Sequence, residues 1–234
     1  MPIFLNFDDP TFVQRFEDLL NSDRNDNLDV NRVVIDILTD VKTRGDEAIL
    51  ELTHRFDKIK LDKEKLRFTK NEIEEISSTI SLDERKALDL AATRIRVYHE
   101  KQKPEDVSWV DEIGVELGWR WTPLESVGIY VPGGTAAYPS SVLMNAIPAK
   151  VANVKEIVMV VPSPKGELNP MVLAAAHLTG VHRVFKIGGA HAIAALAYGT
   201  EKIPKVDKIV GPGNAYVAET KKQVYGVVGI DMVA

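Results

Sequence analysis

The sequence contains no cysteine in its 234 residues. That absence excludes disulfide staples, thiolate metal sites and a thiol nucleophile together, and it suits a reducing, cytoplasmic setting. An excess of positive charge is missing too. The 29 basic residues are interleaved with 34 acidic ones for a formal charge of −5, so no broad basic face is expected for nucleic acid or an anionic membrane. The opening stretch from Met1 to Asp9 has no basic region followed by a sustained apolar run. No later segment approaches the ~20 consecutive apolar residues that span a bilayer. Also absent are a Ser-His-Asp order, a paired-carboxylate motif and a P-loop lysine. His54, His99, His177 and His182 lack metal-ligand spacing, so no metal is assigned to the chain. The length suffices for one large domain or two modest ones with a proper core.

What is present divides into two halves. Up to about residue 105 the sequence is highly charged, with apolar residues three and four apart. Phe12, Phe16, Leu19 and Leu20 form one stripe; Val33, Ile35, Leu38 and Val41 begin another, and Ala48, Ile49, Leu52 and Phe56 continue it past Gly45. Asp29 is the expected N-cap of the second helix. Thr69 with Glu72, and Ser81 with Glu84, have capping-box spacing for helices through Ile76 and past Tyr98. Lys101 to Pro104 then reads as a linker. Alternation between Val107 and Pro123, with Trp109, Trp119 and Trp121, predicts a short antiparallel excursion.

Beyond it, strands near 127–131, 156–161, 183–187, 206–210 and 227–231 alternate with helices near 139–152, 168–179, 190–198 and 213–225. Continuous apolar runs such as Ile157 to Val161 belong to strands buried on both faces of a parallel sheet. The expected fold is therefore α/β: a doubly wound parallel sheet of about five strands, preceded by a helical region. The segments are 1–105 (helical), 106–126 (a short β-rich connection) and 127–234 (the parallel sheet, for whose glycine turns a nucleotide cofactor is the natural candidate).

Three of the strands end in a glycine-rich turn: Pro132-Gly133-Gly134, Gly188-Gly189-Ala190-His191 and Gly211-Pro212-Gly213-Asn214. Such glycines either serve tight strand-to-helix turns or let a ligand approach the backbone, where helix-opening amides can hold a diphosphate. None is a GxGxxG fingerprint, and no acidic residue stands at the end of a following strand in the usual ribose position. Tyr130 is either a half-buried aromatic on the sheet edge or a flat wall for an adenine or ribose. Asn214 fits an N-cap and would also aim an amide at a ligand. His191 offers one donor and one acceptor when neutral. Lys221 and Lys222, in the last turn of the final helix, are explained by the helix dipole.

These residues carry a resemblance. The stretches Pro123 to Gly134, Gly188 to Thr200, Lys208 to Val217 and Gly229 to Met232 resemble the histidinol dehydrogenases. Arg44 to Ala48 and Thr53 to Asp57 stand in the expected order ahead of them. The resemblance implies an aldehyde dehydrogenase-like, Rossmann-like fold in a zinc-dependent homodimer. The enzyme would oxidise L-histidinol through the aldehyde to L-histidine, passing two hydrides to NAD. It maps the NAD contacts onto Tyr130, Asn214 and His191, where the family usually has glutamine; histidine supplies one hydrogen bond of an amide but not its donor and acceptor pair.

The family continues past Met232 into a Gly-Pro-Ser-Glu segment and nearly as much sequence again. That part holds its zinc ligands and the glutamate-histidine pair that does the acid-base work. No catalytic residue is therefore assigned here, and the chain is expected to hold the cofactor side only, unable alone to reduce NAD with histidinol even with zinc. The alternative is a non-catalytic nucleotide-binding or assembly module derived from that enzyme. A broader aldehyde-oxidising enzyme of the same fold ranks last, because its cysteine nucleophile is missing.

Overall fold

A computed structural model describes residues 4–133, 138–166 and 168–232, with backbone alone at 21–28; Gly134 of the first glycine turn lies outside these residues. The first helix, α1, runs unbroken from Phe12 to Arg44. Asp29 therefore lies inside a helix and is not an N-cap. No glycine or proline occurs between Phe12 and Arg44 to stop the helix, and the break comes at Gly45, with φ 56°. Helix α2 (Asp46–Asp57) follows directly. The core-facing positions of α1 are Val34, Ile37, Leu38 and Val41, spaced i, i+3, i+4 and i+7, whereas Val33 and Ile35 are exposed, as are Phe16 and Leu20.

Helices α3 (Lys70–Ser78) and α4 (Leu82–Glu100) each open on the expected capping box, at Thr69 with Glu72 and Ser81 with Glu84. Each reciprocal pair satisfies two helix-end amides. Strands β1 (Val107–Val110) and β2 (Glu116–Trp119) form the antiparallel hairpin, exposed on both faces.

The second half alternates as the sequence predicts: β3 (Ser126–Tyr130), α5 (Pro139–Val151), β4 (Glu156–Val160), α6 (Pro170–Thr179), β5 (Arg183–Phe185), α7 (Gly189–Tyr198), β6 (Lys208–Val210), α8 (Ala215–Val224) and β7 (Gly229–Ile230). The strands pair in parallel in the order β5-β4-β3-β6-β7. Winding proceeds outward from β3 on both sides, so the order reverses at the β3–β6 boundary.

Successive residues of β4 face opposite layers, as strand geometry requires. Val158 and Val160 join one apolar cluster with α1, α2, α7 and α8, while Ile157, Met159 and Val161 join another with α4, α5 and α6. The N-terminal helices thus complete the layers on both faces of the sheet. Residues 66–68 also hydrogen-bond along β5, with Phe68 N–H to the Val184 carbonyl at 2.9 Å and Lys186 N–H to the Leu66 carbonyl at 2.8 Å. That contact covers a sheet edge which would otherwise be open to other strands.

Candidate functional site

Tyr130, His191 and Asn214, set apart in sequence, meet in one cavity of about 650 Å³ at the carboxyl end of the sheet. Phe56, Asp57 and Tyr216 also line it. Tyr130 ends β3 and Asn214 follows β6, so the cavity opens where the strand order reverses, the place where open α/β sheets bind ligands. A larger, shallower depression of about 880 Å³ lies between the linker after α4 and helix α5, and none of these three residues lines it.

The glycines of the turns meet protein rather than open space. A Cβ on Gly133 would lie 2.6 Å from Pro162, and one on Gly188 2.3 Å from the same proline. At Gly211, with φ +113°, it would lie 2.2 Å from the Tyr130 carbonyl oxygen. The turns after β3, β5 and β6 are packed against neighbouring strand ends, and that close approach is what these glycines permit. Gly189, with φ +60°, is less crowded, the nearest atom to its added Cβ being His191 Nδ1 at 3.6 Å.

Tyr130 is buried rather than half-buried, and it lines the cavity. Its hydroxyl accepts the Gly189 N–H at 3.1 Å, which leaves the hydroxyl proton for an acceptor in the cavity. Burial raises its pKa, a trend the Gly189 N–H opposes and the Asp57 charge reinforces. Asn214 caps α8, its Oδ1 accepting the Val217 N–H at 3.1 Å. The two amide protons of its side chain remain for a ligand. Both sequence-level readings of Asn214 are thus geometrically compatible.

His191 is only 1% exposed. One ring nitrogen, Nε2, lies 3.2 Å from Thr53 Oγ1, and Phe56 stacks on the ring at 6.0 Å between centroids. The other, Nδ1, is buried without a partner. Burial pushes the imidazole pKa down to about 3, so it is neutral at physiological pH. It offers a neutral hydrogen-bonding edge, and no charge, to whatever occupies the cavity.

Two further buried groups stand at or beside the cavity. Asp57, the last residue of α2, has a buried Oδ2 without a partner; burial raises its pKa, opposed by the Ser163 N–H. Lys221, for which the sequence suggested only a helix-dipole role, is buried. Its Nζ donates to the Asp231 carboxylate and to the Gly211 carbonyl at 3.1 Å, while Asp231 Oδ2 accepts the Gly211 N–H at 2.8 Å. The pair clamps the turn that presents Asn214. Lys222 is solvent-facing. No local pattern distinguishes the two lysines; only the fold does.

A family model described as histidinol dehydrogenase matches residues 20–234. The chain belongs to the histidinol dehydrogenase family. It is 57% identical to histidinol dehydrogenase of Cereibacter sphaeroides and 55% identical to that of Ruegeria pomeroyi, over its full length and 54% of each relative. It therefore spans about half the length of the curated relatives it matches. Among solved structures, histidinol dehydrogenase from Elizabethkingia anophelis superposes with a TM-score of 0.83 at 37% identity, covering 87% of this chain and 47% of that one. The match supports the Rossmann-like fold read from the sequence.

Among the described residues no group of three or more His, Asp or Glu side chains comes together to hold a metal ion. The residues present do not fit the zinc site that the family resemblance implies. They do fit a nucleotide: the cavity presents neutral donors and acceptors beside buried polar atoms that lack partners.

Proposed function

We propose that this chain is the cofactor-side half of a histidinol dehydrogenase and binds NAD in the cavity bounded by Tyr130, His191 and Asn214. The convergence of these three residues where the strand order reverses carries the proposal. NAD, when bound, supplies the hydride acceptor for oxidation of L-histidinol through the aldehyde to L-histidine. The chain's own residues position it. Tyr130 donates from a hydroxyl fixed by Gly189, Asn214 donates from a side chain fixed by its cap, and His191 contributes a neutral edge. Tyr130 and His191 are shielded from solvent, whereas Asn214 stands at the exposed rim.

The acid-base and zinc chemistry of the whole enzyme has no residue set among those described, so we assign the isolated chain nucleotide binding without turnover. The resemblance extends the proposal to a cytoplasmic homodimer, and the exposed Trp109 and Trp119 of the hairpin are apolar surface that a second copy would cover. A non-catalytic nucleotide-binding or assembly module is the second reading, favoured by the lack of a metal-ligand group among the described residues.

Calorimetric titration with NAD tests the proposal. Because Tyr130 belongs to the core, Tyr130→Phe is the informative variant: it removes the hydroxyl and keeps the ring. Saturable binding weakened by this change supports the site; absence of binding to the unsubstituted chain rejects it. Histidinol-dependent NADH production by the chain alone would overturn the assignment of binding without turnover.

A further inference from the structure

We infer that Thr53 is a positioning residue for the cavity: its hydroxyl donates to His191 Nε2, holds the ring in the Nδ1–H tautomer and so makes His191 a hydrogen-bond donor to the bound nucleotide. This rests on the NAD-binding proposal and deepens it. Thr53 does not itself line the cavity and acts through the histidine.

A threonine inside a helix can return its hydroxyl proton to the carbonyl four residues back. Thr39, Thr43, Thr93, Thr179 and Thr220 all do so, to Ile35, Thr39, Asp89, Ala175 and Tyr216. Thr53, inside α2, does not. Its one described hydrogen bond runs to His191 Nε2 at 3.2 Å, across 138 residues of sequence. Thr53 is fully buried, so water does not take the proton either.

A neutral imidazole has one N–H and one acceptor nitrogen, and the hydrogen bond made at one nitrogen decides the state of the other. Were the proton on Nε2 and donated to Thr53 Oγ1, the threonine proton would be buried without an acceptor and Nδ1 would be a buried acceptor without a donor. With the proton on Nδ1, the Thr53 hydroxyl is satisfied and Nδ1–H alone is left open. The second arrangement leaves fewer buried polar groups unpaired, as folded chains require. The doubly protonated ring is excluded by burial and by helix α7, whose positive end opens at Gly189. Phe56, stacked on the imidazole, holds the plane of the ring.

Nδ1 stands beside Gly189, where an added Cβ would lie 3.6 Å from it, and both residues line the cavity. A buried N–H in that place costs stability until a ligand supplies an acceptor. The Gly189 N–H also fixes the Tyr130 hydroxyl, so Nδ1–H joins the Tyr130 proton and the Asn214 amide protons as donors around one cavity. All three side chains then meet acceptors, which the phosphate, carbonyl and ring-nitrogen atoms of a dinucleotide provide. A ligand group that only donates finds no partner at His191.

The test is a long-range proton–nitrogen correlation spectrum of the chain, isotope-labelled at its histidine rings and held near neutral pH, which reads which ring nitrogen carries the proton. His191→Gln identifies the signals of this ring among the five histidines. The unsubstituted chain should show Nδ1–H; Nε2–H, or an even mixture, would overturn the inference. Thr53→Val keeps the shape of the side chain and removes the hydroxyl, so the ring should lose its single tautomer and NAD affinity, by calorimetry, should fall about tenfold. Thr53→Ser returns the hydroxyl and should restore both; Thr53→Ala supplies the same comparison as valine should that variant not fold. A folded variant without the hydroxyl that keeps the Nδ1–H tautomer, or that changes tautomer with no loss of NAD affinity, would also overturn the inference. Failure of the unsubstituted chain to bind NAD would reject the cofactor site and the binding role with it, while the spectrum taken without ligand would still decide whether Thr53 sets the tautomer.

Discussion

His191 occupies a position where a side chain must be both buried and polar. One ring nitrogen is engaged with Thr53 and the other has no partner, with burial holding the imidazole pKa at about 3 against an ordinary 6.5. The consequence for stability has a definite sign. Between those values the unfolded chain takes up a proton that the folded chain refuses, so stability is fully present above 6.5 and is lost as pH falls toward 3. Urea unfolding at about pH 7.5 and about pH 5 should show the unsubstituted chain losing about 2 kcal/mol more than His191→Gln. Equal losses would mean that the ring is solvated and protonates freely in the folded state. Glutamine also fits the site's chemistry, since an amide supplies both a donor and an acceptor without titrating. Tyr130 and Asn214 were recognisable as candidates because they flank glycine turns. Asp57 was not: it sits in a helical repeat about 100 residues from the end of β4, and it reaches the cavity only because α2 packs against the sheet.

Helix α8 shows how elements were legible unevenly. Its start was readable, since Asn214 bonds the Val217 N–H as a local cap, and the capping boxes of α3 and α4 were readable for the same reason. Local signals need only neighbouring residues. Its last turn was not readable, because Lys221 and Lys222 look alike until the segment after β7 brings Asp231 against one of them. Likewise the polar stretch around Asp29 suggested a helix start, yet α1 passes through it because the chain offers no breaker before Gly45. The Lys221–Asp231 pair should matter to stability: removing one member of a buried pair strands the other charge. Lys221 is only 5% exposed at its side chain and Asp231 28%, so Lys221→Met should cost about 2–3 kcal/mol, toward the low end for buried pairs. Chemical denaturation measures it. A loss below about 0.5 kcal/mol, typical of a surface pair, would show that the clamp is open to solvent. The same variant should also weaken NAD binding, because the freed turn carries Asn214.

At the scale of the molecule, the alternation of β-branched strands with small-residue helices made the five-stranded parallel sheet legible. Periodicity could not show how the first hundred residues complete it. Val34, Ile37, Leu38, Val41, Ile49 and Leu52 share one apolar cluster with α7, while Phe68, Leu88 and Ala92 share the other with α5 and α6. Both layers therefore depend on side chains from outside segment 127–234, and the β5 edge depends on residues 66–68. Cutting these away would expose apolar surface on both faces of the sheet at once. With roughly 25 cal/mol lost per Å² of apolar surface re-exposed, a few hundred Å² would remove most of the 5–15 kcal/mol that holds a domain folded. A fragment comprising residues 123–234 should accordingly keep helical circular dichroism, bind a hydrophobic dye and melt without a cooperative transition. The 234-residue chain should melt cooperatively and exclude the dye. A fragment that melts cooperatively and binds NAD as the 234-residue chain does would establish the sheet as a self-sufficient nucleotide-binding domain, with α1 to α4 as an accessory layer; loss of both properties would show that the site forms only on a sheet whose layers α1 to α4 complete.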